Sequence, residues 1–244
     1  MQSDIYQICS KFESEHWWFV ARRAIVQKAI DFYFKNPNDM TSKILEVGAG
    51  SGGNLEMLSA YGNVFALEMD EKSCQFAQNR NIGEVMLGKL PDQFPFDNTF
   101  DLICMLDVLE HIEDDFETLC IIKEKLNATG KLVITVPAYQ WLWSQHDVVA
   151  QHYRRYNRKS LTEVITQSGL KVKYMTYFNT FLFPVVASVR LVNNVLGKNE
   201  SSDLSLPIKG VNNGLKTIFA SERFFFPKIT FPFGVSLLAV LENI

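Results

Sequence analysis

Short apolar runs alternate with amphipathic stretches through most of this chain. Apolar side chains recur at helical spacing from Glu15 to Tyr33, and Asn36-Pro37-Asn38 then ends that helix. Six strands are predicted after it: Ile44–Val47, Val64–Leu67, Val85–Leu87, Leu102–Leu106, Lys131–Val136 and Lys171–Phe178. The helices predicted between them are Gly52–Tyr61, Glu71–Asn79, Asp115–Leu126 and Leu161–Ser168, with a turn at "NATG" before the fifth strand. Strands that are apolar throughout and separated by helices indicate a parallel sheet covered on both faces.

From Thr180 onward the chain is more apolar than a soluble domain requires. Two apolar stretches, "TFLFPVVASVRLVNNVLG" and "FFFPKITFPFGVSLLAVL", flank a polar break. Arg190 interrupts the first stretch and Lys228 the second, so neither reaches the roughly 18 to 20 apolar residues of a membrane span. The dense phenylalanines are typical of core packing, of a lid over an apolar substrate or of a peripheral membrane contact.

Length, charge and cysteine usage exclude several classes of protein. A chain of 244 residues with a net charge of -3 suits one domain, and it lacks the positive charge that nucleic-acid binding needs. We therefore expect no nucleic-acid partner, and a monomer or homodimer. The four cysteines form no C-x-x-C pair, and no basic region followed by an apolar one marks the N-terminus. These features predict a cytoplasmic protein, or one held peripherally at the inner membrane.

The glycine-rich segment "KILEVGAGSGGN" follows the first predicted strand and has two interpretations. The spacing Gly48-x-Gly50-x-x-Gly53 is a dinucleotide fingerprint, whereas Glu46-x-Gly48-x-Gly50-x-Gly52 suits a loop that cradles S-adenosylmethionine. Glu46 would repel a pyrophosphate but attract a sulfonium and an ammonium group. The remaining length also leaves no room for a separate hydride-accepting domain. Both points favour S-adenosylmethionine, and an NAD-dependent oxidoreductase is the alternative.

Four segments together resemble the class I S-adenosylmethionine-dependent methyltransferases, specifically the methyltransferase type 11 group. They are "ILEVGAGSG", "FALEMD", "LPDQFPFDNTFDLICMLDVLEHIEDD" and "LNATGKLVITVPA"; "EHWWFVARR" and "LWSQHDVVAQHYRRY" resemble a bacterial subgroup. The resemblance implies a Rossmann-like, seven-stranded, three-layer αβα fold whose last strand is antiparallel, at about Val235–Leu241. It divides the chain into a helical cap (1–40), a cofactor-binding core (41–178), an apolar insertion (179–232) and a final strand (233–244).

The resemblance also implies which residues bind the cofactor. Glu68 would accept the ribose hydroxyls, Met69 would lie against adenine, and Arg22 would pair with the cofactor carboxylate. Family members often carry an aspartate after the third strand; here the pair is Gly88-Lys89, so nearby backbone would contact adenine instead. The full predicted set is Trp18, Phe19, Arg22, Glu46, Gly48, Gly50, Gly52, Glu68, Met69, Gly88, Lys89, Leu90, Leu106 and Asp107.

The reaction implied is in-line transfer of the methyl group to an O, N or C atom of a small-molecule or lipid-linked acceptor, releasing S-adenosylhomocysteine. A hydroxyl acceptor would need a base, and His152, His146 and His111 are the candidates. The predicted acceptor-binding residues are Tyr139, Trp141, Trp143, Tyr153, Arg154 and Arg155. A non-catalytic cofactor-binding partner subunit is the alternative function.

Two points concern the charged residues of this loop. Adjacent Arg154 and Arg155 cannot face the same direction, so we expect one to contact an anionic acceptor group and the other to form a structural ion pair. The spacing of His146, Asp147 and His152 matches no metal motif, and methyl transfer requires no metal. We therefore expect no metal ion.

Overall fold

The computed structural model describes residues 12–34, 40–196 and 207–243. The predicted helix stop at Asn36-Pro37-Asn38 lies outside these residues, as do residues 1–11 of the predicted cap and residue 244 of the final segment.

Seven strands form one mixed sheet. Their bounds are β1 Lys43–Val47, β2 Asn63–Glu68, β3 Glu84–Leu87, β4 Phe100–Leu106, β5 Leu126–Pro137, β6 Leu170–Phe178 and β7 Ser236–Asn243. The order across the sheet is β3-β2-β1-β4-β5-β7-β6, and β7 runs antiparallel to both of its neighbours. The predicted seven-stranded Rossmann-like sheet with an antiparallel last strand is confirmed.

Helices surround the sheet, and two local features differ from the expectation. In the described part of the chain, residues 12–15 are helical, and the further α-helices are α1 Trp17–Tyr33, α2 Leu55–Ser59, α3 Glu71–Gln78, α4 Asp115–Lys125, α5 Gln145–Val149, α6 Arg158–Gln167, α7 Phe183–Leu196 and α8 Lys209–Ser221. Helix α2 begins at Leu55 rather than Gly52, because the preceding glycines form the loop after β1. The predicted "NATG" turn is wrong: those residues lie within β5, where a register shift opposite Phe100 absorbs them.

Helix α1 and the segment between β6 and β7 pack against each other. Asn212 of α8 is buried, accepts a hydrogen bond from the Trp17 N–H at 2.9 Å and donates one to the Glu15 carbonyl at 2.8 Å. The ring of Phe219 lies 6.0 Å from Trp17 and 5.3 Å from Trp18, between centroids. Residues 15–18 are thereby anchored to a helix nearly 200 residues later in the chain.

The segment between β6 and β7 also exposes apolar side chains. They include Val185, Val189, Ile208, Val211, Phe224 and Ile229. Across the part of the chain that the structure describes, none of the helices has both the length and the hydropathy to cross a membrane.

Candidate active site

The glycine loop after β1 lies at the carboxyl end of the sheet, where this fold binds ligands. The N–H groups of Gly48 and Ala49 both donate to the Leu67 carbonyl, at 2.9 and 3.1 Å, which ties the loop to β2. Gly48 has φ +71°, and a Cβ there would lie 2.5 Å from Val108 Cγ2 in the loop after β4. Glycine is therefore required at this position both by backbone conformation and by the close approach of a second loop.

A methyl group at position 48 tests this packing. We expect Gly48→Ala to lower the free energy of unfolding by about 1–3 kcal/mol, because it adds left-handed strain and a clash with Val108. Gly214→Ala is the matched control: it lies within α8, a Cβ added there would have no neighbour within 4 Å, and alanine is the better helix former. Urea denaturation measures both. Adding Val108→Ala to Gly48→Ala should relieve only the clash, so recovery of full stability would contradict the strain argument.

Glu68 ends β2 beside this loop, as predicted. Its Oε2 accepts a hydrogen bond from the Gly50 N–H at 2.7 Å, and its Oε1 accepts one from the Asp70 N–H at 2.9 Å. Each oxygen keeps a further lone pair for a ligand. The backbone carbonyl of Glu68 accepts a hydrogen bond from the Gly88 N–H at 3.0 Å. Met69, the next residue in the chain, is exposed. The glycine loop, Met69 and the Gly88 turn therefore share one edge of the sheet.

The turn that begins at Gly88 is closed by paired backbone hydrogen bonds. Lys89 donates to and accepts from Gln93, at 3.0 and 2.6 Å, and Leu90 is buried beneath it. The predicted adenine contacts at Lys89 and Leu90 therefore lie on an ordered turn adjoining Glu68.

Glu46 lies beneath the glycine loop and is 1% exposed. Its Oε1 accepts a hydrogen bond from Asn54 Nδ2 at 2.7 Å, while its buried Oε2 receives none from the described residues. Burial raises the pKa of Glu46 to about 8. A cation beside the unpaired oxygen would favour the ionised form of Glu46, so the predicted contact with a cationic ligand fits this geometry and stays a prediction.

Arg22 is buried and extends from α1 to the carboxyl end of β4. Its Nη1 forms an ion pair with the Asp107 carboxylate and approaches the Leu106 carbonyl at 3.5 Å. Asp107 has φ +58° and also accepts from Thr135 Oγ1 at 2.9 Å. The buried Arg22 Nε has no hydrogen-bond partner in the described chain. Arg22 thus reaches the site. Its guanidinium already pairs with Asp107, so it would have to bind a cofactor carboxylate and Asp107 at the same time.

The two aromatic residues predicted beside Arg22 differ in their surroundings. The ring centroid of Phe19 lies 5.5 Å from the Arg22 guanidinium carbon, so Phe19 borders the same end of β4. Trp18 instead packs against Phe219 of α8. A pocket-closing role for either remains a prediction.

Three histidines and Glu110 gather beyond Asp107. The 3₁₀ turn Leu109–His111 follows β4, and the Tyr153 N–H donates to the Glu110 carbonyl at 2.8 Å. The rings of His111 and His152 lie 4.5 Å apart between centroids, and those of His146 and His152 lie 6.1 Å apart. Burial, reinforced by His152, lowers the pKa of His111. The structure therefore brings together all three predicted base candidates.

Asp147 organises the segment that carries His152. It is fully buried and accepts hydrogen bonds from His152 Nδ1 at 2.8 Å and from Arg155 Nε and Nη2 at 2.7 and 2.9 Å. Although burial opposes ionisation, these donors hold the pKa of Asp147 well below its usual range. Arg155 forms the predicted structural ion pair. Arg154 is also paired, with Asp115 at 2.8 Å, so an acceptor contact by either arginine remains a prediction.

Aromatic residues line the neighbouring loop after β5. Tyr139 has φ +59° and stacks on Tyr177 at 5.0 Å between ring centroids. Trp141 and Phe183 extend this aromatic group, with centroids 5.8 and 5.9 Å from Tyr139. Of the other predicted acceptor residues, Trp143 is half-buried and Tyr153 is exposed.

Glu13 was not predicted, yet it braces the glycine loop. Its Oε2 accepts hydrogen bonds from Ser51 Oγ at 2.7 Å and from Arg80 Nη2 at 3.0 Å, and Arg80 Nε donates to the Ser51 carbonyl at 2.6 Å. No short-range sequence signal joins three residues so far apart. Glu110 was also not predicted, although it lies within a quoted motif, and Asp147 was considered only as a metal ligand.

Comparisons with known proteins identify the family. A family model described as a methyltransferase domain matches residues 18–174. The chain belongs to this methyltransferase domain family. It is an S-adenosylmethionine-dependent methyltransferase, which decides between the two interpretations of the glycine loop and sets aside the dinucleotide one.

One relative of this methyltransferase is named as an O-methyltransferase. The mitochondrial ubiquinone biosynthesis O-methyltransferase of Schizosaccharomyces pombe is 29% identical over 103 residues, which cover 38% of this chain and 37% of that protein. The match thus spans little more than a third of the length of that relative.

Solved structures share the fold. A Haloferax volcanii methyltransferase complex with the activator Trm112 has a TM-score of 0.60 at 18% identity, covering 98% of this chain and 95% of that one. Magnesium protoporphyrin IX methyltransferase from Synechocystis, with bound SAH, has a TM-score of 0.56 at 12% identity, covering 93% and 85%.

Proposed function

We propose that this methyltransferase methylates a hydroxyl oxygen of an acceptor with an aromatic or apolar body, either a small molecule or a lipid-linked one. One observation carries the proposal. The short segment 152–156 joins the polar cluster to the aromatic group: the Tyr153 N–H donates to the Glu110 carbonyl at 2.8 Å, and the Tyr139 N–H donates to the Tyr156 carbonyl at 2.7 Å. The polar cluster, which could bind the acceptor hydroxyl, thus lies next to the aromatic group, which could bind the apolar part of the acceptor.

The cofactor residues fit S-adenosylmethionine. Glu68 offers carboxylate lone pairs for the ribose, the loop with Gly48 and Gly50 allows close backbone approach, and Glu46 offers an unpaired oxygen for positive charge. The cofactor supplies an electrophilic sulfonium methyl group. What remains for the protein is to hold the acceptor oxygen in line with it, a positioning effect of about 7–11 kcal/mol at most.

The acceptor oxygen loses its proton as it forms the bond to the methyl carbon and the carbon–sulfur bond breaks. His111 and His152 are the groups placed to assist, since they lie beside Glu110 at the end of β4. The curated relative is named as an O-methyltransferase, which agrees with an oxygen acceptor.

The exposed apolar side chains favour including lipid-linked acceptors. Phe224 and Ile208 are 72% and 81% exposed, and the cations Lys209, Arg223 and Lys228 lie close to them in sequence. Apolar side chains interspersed with cations suit the surface of an anionic bilayer. A peripheral contact of this kind would present a membrane-borne acceptor to the site.

An acceptor panel with isotopically labelled S-adenosylmethionine tests the proposal. Its arms are hydroxylated aromatic small molecules, matched primary amines, and the hydroxylated rings attached to lipid in phosphatidylglycerol vesicles. We expect labelled product from the hydroxylated acceptors.

Glu68→Ala should weaken the affinity for S-adenosylmethionine by about tenfold to a hundredfold, because ribose contacts and the Gly50 hydrogen bond are lost. Glu71→Ala, an exposed carboxylate three residues away, is the control.

The outcomes separate the alternatives. Methylated amines without methylated hydroxyls would overturn the oxygen acceptor. Product from the vesicle arm alone would identify the lipid-linked form. Calorimetric binding of S-adenosylmethionine with no product from a cell extract would favour the non-catalytic binding subunit.

A further inference from the structure

Three side chains at the end of β4 could share one cation. Glu110, His111 and His152 each offer a ligand atom, and these atoms all lie within 4.8 Å of one another. The two imidazole rings stand nearly perpendicular, at 87°, with centroids 4.5 Å apart. This cluster differs from His146, Asp147 and His152, the set considered from the sequence as possible metal ligands. Glu110 replaces Asp147, which is already occupied by other donors.

His152 is oriented as a metal ligand. Its Nδ1 lies 2.8 Å from Asp147 Oδ1, and Asp147 is itself fixed by Arg155. A carboxylate acceptor at Nδ1 places the ring proton there, so Nε2 carries the free lone pair. Metal-binding histidines commonly have such a carboxylate behind them, which sets both tautomer and ring orientation.

Glu110 supplies a second, independent observation. It is 1% exposed, and its Oε2 is a buried oxygen that accepts no hydrogen bond from the described residues. Buried carboxylate oxygens are costly unless a hydrogen-bond donor or a cation satisfies them. The neighbouring carboxylates Asp107 and Asp147 are each paired with an arginine. Of these three acids, Glu110 is therefore the one with a buried oxygen, Oε2, that has no hydrogen-bond donor among the described residues.

We propose that Glu110, His111 and His152 bind one divalent first-row transition-metal cation at the acceptor side of the site. Two imidazoles and one carboxylate suit Zn²⁺, Co²⁺ or Fe²⁺, whereas Mg²⁺ and Ca²⁺ prefer all-oxygen sites. Three protein ligands leave a coordination position open. This part of the inference rests on the proposed function: the open position would take the acceptor oxygen and lower the pKa of its hydroxyl, whose proton leaves to solvent. His111 and His152 would then assist deprotonation as metal ligands and not as proton acceptors. This proposal differs from the expectation of no metal, which was drawn from sequence spacing.

Cobalt titration of the full-length, chelator-treated protein tests the site without acceptor or cofactor. We expect one Co²⁺ per chain with visible d–d absorption, displaced by Zn²⁺. Glu110→Gln and His111→Ala should each weaken Co²⁺ affinity about tenfold or more. His146→Ala is the matched control, because its ring lies near His152 yet outside the triad, and its affinity should match that of the unaltered protein. Thermal stabilisation by S-adenosylmethionine verifies that each variant is folded.

The proposal is overturned if no saturable binding occurs, or if both triad variants bind Co²⁺ as the unaltered protein does. Loss of binding in His146→Ala with retention in Glu110→Gln would likewise overturn it. Because the titration needs no acceptor, its failure leaves the proposed methylation to be judged by the acceptor panel alone.

Discussion

Replacing Asp147 with alanine is expected to lower the free energy of unfolding by about 3–5 kcal/mol. The carboxylate is fully buried and accepts two hydrogen bonds from Arg155, one from His152 and one from the Ser144 N–H at 2.8 Å. Without it, the Ala138 carbonyl, at 3.2 Å, is the acceptor that the described residues still offer to the buried Arg155 guanidinium. Urea denaturation at pH 7 measures the loss.

Two comparisons isolate the cause. Asp114→Ala removes an exposed aspartate that caps α4 by accepting from the Glu117 N–H at 2.8 Å, and should cost only about 1 kcal/mol. Combining Asp147→Ala with Arg155→Met removes the unpaired charge, so the double variant should be more stable than the sum of the single losses predicts. If Asp147→Ala costs no more than Asp114→Ala, the buried ion pair does not stabilise this segment.

The sheet could be predicted because its signals are local. Strands that are mostly apolar, such as β1 and β4, differ from amphipathic helices within a few residues, and the structure buries them as expected. The secondary-structure prediction was wrong where the local sequence signal did not determine the backbone conformation. The residues "NATG" resemble a turn, yet β5 continues through them as an irregularity between the pairs Phe100–Leu126 and Leu102–Lys131.

The site was predictable only where a motif fixes the backbone. Gly48, Gly50 and Glu68 meet through the glycine loop, and their spacing carries that information. Glu13 depends on a contact across the fold, to Arg80, which no periodicity encodes. A long-range ion pair of this kind becomes visible only once the elements are packed. Asp147 pairs with Arg155 within one loop segment, at a separation of 8 residues that matches no helix or strand period.

Glu46→Gln is expected to make the cofactor-free protein more stable than the unaltered chain at alkaline pH. Burial raises the pKa of Glu46 from 4.5 to about 8, so the folded state retains a proton that the unfolded chain releases. The contribution of the protonated Glu46 to the free energy of unfolding is fully present below about pH 4.5 and is lost as the pH rises through about 8. At about 1.4 kcal/mol per pH unit, the advantage of the variant should reach about 3–5 kcal/mol by pH 9.

Glu222→Gln provides the matched control for this titration. Glu222 is also fully buried, and burial raises its pKa to about 7. The benefit of Glu222→Gln should therefore level off about one pH unit earlier than that of Glu46→Gln. Unfolding free energies measured from pH 5 to pH 9 distinguish the two curves, and a difference between Glu46→Gln and the unaltered chain that does not change with pH would contradict the buried-charge argument.

The same carboxylate links this pH dependence to cofactor binding. A sulfonium and an ammonium group near Glu46 Oε2 favour its ionised form, so S-adenosylmethionine should offset the alkaline loss of stability in the unaltered protein. Glutamine offers no charge, so the stabilisation by cofactor in Glu46→Gln should be smaller, and the deficit should widen from pH 6 to pH 9. Equal cofactor-induced shifts in both proteins would mean that Glu46 supports the loop through Asn54 without interacting with the bound cation.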